Sequence, residues 1–203
     1  MAHCLVNDSP AAFEFRPETW GQMLDALDRT LVADRRVVTA VRFDGVDQPS
    51  FRSAGVAAAD LTQIARVDIE AEPATALLMA AVDAAAGSLP SLVSGVRVTA
   101  AALRAGASDA HAQLAALVDA VQSLVALTIA AATAAHVSIG ETTDADPQLI
   151  AACRGLEAAL HALVAHQADQ RWVALADALD ATLAPAIARW DDVLDRIRER
   201  AQA

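Results

Sequence analysis

ATALLMAAVDAAAGSLPSLVSGVRVTAAALRAGASDAHAQLAALVDAVQSLVALTIAAATAAHVSI, residues 74–139, decides how this chain is built. Only Asp83, Arg97, Arg104, Asp109 and Asp119 carry charge in it; most of the remainder is Ala, Leu, Val, Ser and Thr. Alanine is the strongest helix former and adds little buried area. The stretch therefore predicts helices that approach closely and bury most of their circumference, with Leu, Val and Ile as knobs. It holds almost nothing that could do chemistry.

Working outward, the helical part is expected from Ala74 to the end of the chain, as four helices. The first runs from about Ala74 to Ala105, bent at Gly87 and Pro90, because proline removes an internal hydrogen bond and presses on the preceding turn. Gly106 ends it as a C-terminal cap. Ser108 caps the second, about Asp109 to Val137, which Gly140 ends. After the acidic loop Glu141–Asp146, Asp146-Pro147 is a start signal for the third, which reaches about Gln167. Asp169 caps the fourth, about Gln170 to Arg200. Its stripe Trp172, Leu175, Leu179, Leu183, Ile187, Trp190, Leu194 and Ile197 recurs at spacings of three and four, one buried face along the whole length. Pro185 inside it predicts one kinked helix. Short connections predict antiparallel neighbours.

Residues 1–73 have a different texture. His3–Val6 reads as a short strand and Asp8-Ser9-Pro10 as a turn. Phe13 and Phe15, alternating with Glu14 and Arg16, predict a second strand. Thr19 with Gln22 is a capping-box pattern. It opens a helix with Trp20, Met23, Leu24, Leu27 and Leu31 on one face. A third strand follows, with Val37, Thr39, Val41 and Phe43 on one side, then an Asp44-Gly45 turn. Residues 48–59 are irregular. Arg66–Ala71 alternates cleanly, with Val67, Ile69 and Ala71 inward, and Pro73 closes the strand. The order strand, strand, helix, strand, irregular, strand resembles the β-grasp, or ubiquitin-like, arrangement over about 70 residues. A ubiquitin-like modifier would end in a free Gly-Gly tail; here the chain continues into helices, so the resemblance does not imply conjugation. The run Gln170–Trp190, with its Trp-x-x-Leu-Ala-Asp start, is similar to bacterial proteins that join a strand-rich head to a helical body, a resemblance that implies architecture and no activity.

The fold expected is thus α+β: a β-grasp-like head over 1–73, then an antiparallel four-helix bundle over 74–203. Composition narrows function. All fifteen basic residues are Arg, so lysine Schiff-base and P-loop chemistry are excluded. The net charge is −11, and both parts are acidic, with 7 Arg against 12 acids in 1–73 and 8 against 14 in 74–203. No nucleic-acid partner is expected of such a surface. Cys4 and Cys153 have no C-x-x-C spacing and read as reduced thiols of a cytoplasmic protein. No basic run precedes an apolar core at the N-terminus, so no signal peptide is expected. Val121–Ile139 is nineteen residues without formal charge, but it is only mildly apolar and no basic cluster flanks it. It predicts a central or dimer-interface helix rather than a membrane span.

No constellation points to catalysis. Glu157 and His161 lie one helical turn apart, with His166 further on and His136 and Glu141 elsewhere. The di-metal pattern of helical bundles needs Glu-x-x-His on two helices, so neither metal nor cofactor is expected. His3 and Cys4 point to opposite faces of a strand. Asp177 with Asp180, and Asp191, Asp192 and Asp195, read as solvated carboxylates within reach of arginines. No Gly-rich phosphate loop is present. Two interaction features remain. Arg35 and Arg36, with Arg42, Arg52 and Arg66, could make a positive patch for an acidic partner. Ala126, Ala130 and Ala134 make a small-residue face that packs within the monomer or forms a homodimer seam. The expected role is a non-catalytic adaptor or scaffold that binds another protein, with binding of a small apolar molecule or lipid among the helices as the alternative. A sizeable apolar cavity distinguishes the second from the first.

Overall fold

Two residues with positive φ, Asn7 and Asp8, turn the chain back after β1, His3–Val6, into β2, Ser9–Pro10. The turn sits one residue earlier than the Asp8-Ser9-Pro10 reading, because Asn and Asp tolerate the left-handed conformation that a two-residue hairpin requires. The structure, a computed structural model, describes residues 3–13, 15–135, 137 and 147–202, apart from the side chains of 148 and 149. It is α+β, mostly helical, with a mixed five-stranded sheet near the N-terminus. The chain divides into two compact units, Met1–Leu77 and Leu78–Ala203.

In the first unit, α1, Trp20–Ala33, opens at Thr19, whose Oγ1 accepts from the Gln22 amide at 3.4 Å; the Gln22 side chain in turn accepts from the Glu18 amide. All five residues of the expected apolar face are buried. They pack with Val38, Val41, Val67, Ile69 and Ala71 of the sheet. The strands are β3, Arg36–Phe43; β4, Val46–Asp47; and β5, Arg66–Pro73, in sheet order β2-β1-β5-β3-β4. β1 runs parallel to β5, and β3 antiparallel to it. Asp44 and Gly45, both at positive φ, join β3 to β4. Trp20 ties down the irregular stretch: its indole donates to the Phe51 carbonyl at 2.8 Å and its ring meets Phe43 edge-on. The single helical turn α2, Ala54–Ala57, lies in that stretch.

Two expectations fail here. Phe13 and Phe15 form no strand: Phe13 packs on the core from irregular backbone and Phe15 is 45% exposed. The alternation expected of β3 breaks, since Val38 and Val41 are buried while Val37 is exposed. A register shift between Val38 and Ala40 adds a residue to β3 and changes which side chains face α1.

In the second unit one apolar core draws on α3, Ala74–Ala105; α4, Ala110–Ala134; α5, Pro147–Ala168; and the run from α6 to α8. α3 continues through Pro90 and closes on Gly106 at φ 62°, with the Gly106 and Ala107 amides bonded to the Leu103 and Ala102 carbonyls. Asp109, not Ser108, occupies the cap position of α4. The expected boundaries at Gly140 and Asp146 lie outside the described residues. Gln170, at φ 55°, ends α5 in the left-handed conformation, and Arg171 rather than Asp169 precedes the next helix.

The expected single fourth helix is segmented. α6, Trp172–Ala178, passes into a π-helical turn, Leu179–Leu183, then α7, Ala184–Ala188, and after a break at Arg189 into α8, Trp190–Gln202. The Ala184 amide reaches the Leu179 carbonyl, five residues back. The turn stands where Pro185 offers no amide to continue an ordinary ladder. Trp190 and the aliphatic positions of the stripe are buried; Trp172 is only half-buried and meets the His111 ring edge-on.

Candidate functional site

The π-turn sets the floor of a cleft. Leu175, Leu179 and Leu183 are almost wholly buried and line its base. One wall is α4, with Leu114, Leu117, Val121 and Val125; the other is α5, with Leu160, Leu163 and Val164. The volume is about 450 Å³. The rim is apolar as well: Val118, Ile129 (52% exposed) and Val164 (63% exposed) stand at its edge in water. Among the described residues Gln122 and Gln167 are its only polar side chains, and no charged one lines it. Such a surface binds by excluding water from hydrocarbon.

The alanine face lies beside this cleft. Ala126 lines it, and Ala126, Ala130 and Ala134 are all exposed. α4 buries Leu117, Val121, Leu124 and Thr128, and its exposed residues include Ala126, Ile129, Ala130 and Ala134 beside the polar Asp119, Gln122 and Ser123. α3 and α4 are each long and apolar enough to cross a membrane by length and composition.

The arginines of the first unit have local partners. Arg42 pairs with Asp47 and Glu70, Arg52 holds Asp28 through both guanidinium arms, and Arg66 pairs with Asp68. Arg36 donates to the Ala71 carbonyl, and Arg35 occupies a left-handed position at φ 52° after α1. Of the five arginines foreseen there, Arg42, Arg52 and Arg66 are thus balanced by acids within the unit.

Of the carboxylates expected within reach of arginines, Asp177, Asp180 and Asp195 are paired with them. Asp177 and Asp180 both meet Arg104, at 2.8 and 2.6 Å. Arg198 joins Asp195 of its own helix to Asp83 of α3. A second cleft, of about 630 Å³, is lined by Arg189, Asp192, Asp195, Arg196 and Glu199 with Ala151, Ala152 and Val193. Its acids outnumber its arginines.

Glu157 and His161 are exposed, and the Nδ1 of His166 is buried without a partner among the described residues. His136 and Glu141 lie outside those residues. Among them no three His, Cys, Asp or Glu side chains converge as a metal would require. Burial, with the nearby charge of Asp68 adding to it, pushes the Cys4 thiol up to about 11, and burial raises Cys153 as well. Both favour the protonated form, which is a poor nucleophile.

Comparison with protein-family models, curated proteins and solved structures yields no match.

Proposed function

We propose that the helical unit is a non-catalytic binding module for an apolar small molecule or lipid, held between α4, α5 and the π-turn. The observation that carries this reading is the cleft itself: concave, about 450 Å³, and walled by Leu, Val and Ile. Its size lies within the range of ligand pockets, about 300–1,000 Å³. An uncharged dye such as N-phenyl-1-naphthylamine, whose emission rises in apolar surroundings, tests it. The full chain should saturate at one dye per molecule, and Val164→Glu, at an exposed rim position, should weaken uptake severalfold. Non-saturating uptake, or uptake indifferent to Val164→Glu, would contradict the reading.

The finer architecture belongs to the same proposal. The sheet order β2-β1-β5-β3-β4, with β1 and β5 parallel and α1 across one face, supports a β-grasp-like head. The single core shared by α3, α4, α5 and the α6–α8 run supports a four-helix bundle with a segmented last helix.

The adaptor reading is favoured by a different observation: Ala126, Ala130 and Ala134 are exposed next to Ile129 on one side of α4. Such a face suits a homodimer seam or a partner protein, because small side chains let another helix approach closely. In this second reading Ala130→Arg should convert a dimer to a folded monomer by light scattering.

A further inference from the structure

We propose that the occupant of the α4–α5 cleft is an uncharged, single-chain amphiphile, such as a monoacylglycerol or a long-chain alcohol, and not a fatty acid anion. This rests on the apolar-ligand reading above and adds the chemistry of the ligand. Three observations carry it.

The first is shape. The lining positions on α4 run from Leu114 to Ile129, which at 1.5 Å per residue is about 22 Å of helix. The cleft therefore follows the helix axis and suits an extended chain better than a compact ring system. The second is volume. A dry cavity of about 150 Å³ holds benzene, with six carbons. At the same packing, the 450 Å³ here corresponds to about 18 carbon atoms, a single long acyl chain.

The third is charge. Among the described residues no Arg or His lines the cleft, and the polar side chains that do are the amides of Gln122 and Gln167, both exposed at the rim. Neither amide has a hydrogen-bond partner among the described residues. A carboxylate drawn against this lining would lose water and gain no counter-charge. A hydroxyl or ester carbonyl loses less, and a glutamine amide can both donate to it and accept from it. The acidic chain as a whole, at −11, disfavours an anion further.

Calorimetric titration of the delipidated full chain with 1-monomyristoylglycerol, myristate and dodecane at pH 8, each below its aggregation limit, tests the proposal. The monoglyceride should bind one per chain, at least tenfold more tightly than myristate. Replacing both amides, Gln122→Leu with Gln167→Leu, should remove the monoglyceride's advantage over dodecane. Myristate binding as tightly as the monoglyceride would overturn the ligand class and leave the apolar-ligand reading standing. Binding of none of the three would overturn both. A dimer that no ligand dissociates and that Val164→Glu splits would show a second copy in the cleft, which also overturns the proposal.

Discussion

Trp190 is the residue on which the packing of the second unit turns. It is 3% exposed, and its indole N–H donates at 2.9 Å to the hydroxyl of Thr128, which in turn donates to the Leu124 carbonyl. Every polar atom in this buried chain has a partner, so none carries the cost of an unmet hydrogen bond. Truncation to Ala at Trp190 should cost about 3–5 kcal/mol of stability. Thr128→Val keeps the shape and strands the indole N–H, which should cost about 1–3 kcal/mol; Thr128→Ser, which keeps the hydroxyl, should cost less. Denaturant melts of the three variants check this. A Val variant as stable as the Ser variant would show that the indole finds another acceptor. The burial of Trp190 is legible in its place on the stripe. Its partner is not, because Thr128 lies 62 residues away and no local pattern joins the two.

At the scale of elements, sequence signals located starts and stops where the chemistry is local. Thr19 with Gln22 marks the start of α1, and Gly106 marks the end of α3. Both follow from side chains that satisfy or relieve a helix end within a few residues. Gly87 within α3 and Gly106 just beyond its end make the contrast measurable. Gly106 sits at φ 62°, where a side chain is strained, whereas Gly87 is helical, exposed and has open space where a Cβ would go. Gly106→Ala should lower stability by about 1 kcal/mol and Gly87→Ala should raise it by about 0.5–1 kcal/mol. Thermal melts giving both shifts the same sign would contradict the assignment of the two positions. The π-turn left a trace in the sequence that spacing alone could have exposed. Leu175, Leu179, Leu183 and Ile187 are four apart three times running, and at 100° per residue such a series drifts about 40° per turn off an α-helical face. A wider turn takes up that drift and keeps all four side chains almost fully buried. The bulge in β3 left no such trace, because Val37, Val38 and Val41 fit either face by residue type alone.

At the scale of the whole molecule, the charge-poor stretch from Ala74 onward fixed the class of the second unit, and the cleft follows from the same property. Helices rich in alanine bury little area per residue. Where the larger side chains Leu117, Leu163 and Leu179 face one another, the helices leave a space lined with hydrocarbon. Its existence depended on how α4, α5 and a π-turn meet, which residue order does not specify. The cleft residues were legible as apolar positions and illegible as a site. Methyl-labelled NMR of the full chain tests the central claim most directly. On titration with an uncharged single-chain amphiphile, the Leu117, Val118, Leu163, Val164 and Leu179 methyls should shift together and saturate, while Leu24, Leu27 and Leu31 of the first unit stay unmoved. Shifts absent from the cleft methyls, or spread evenly over both units, would contradict it.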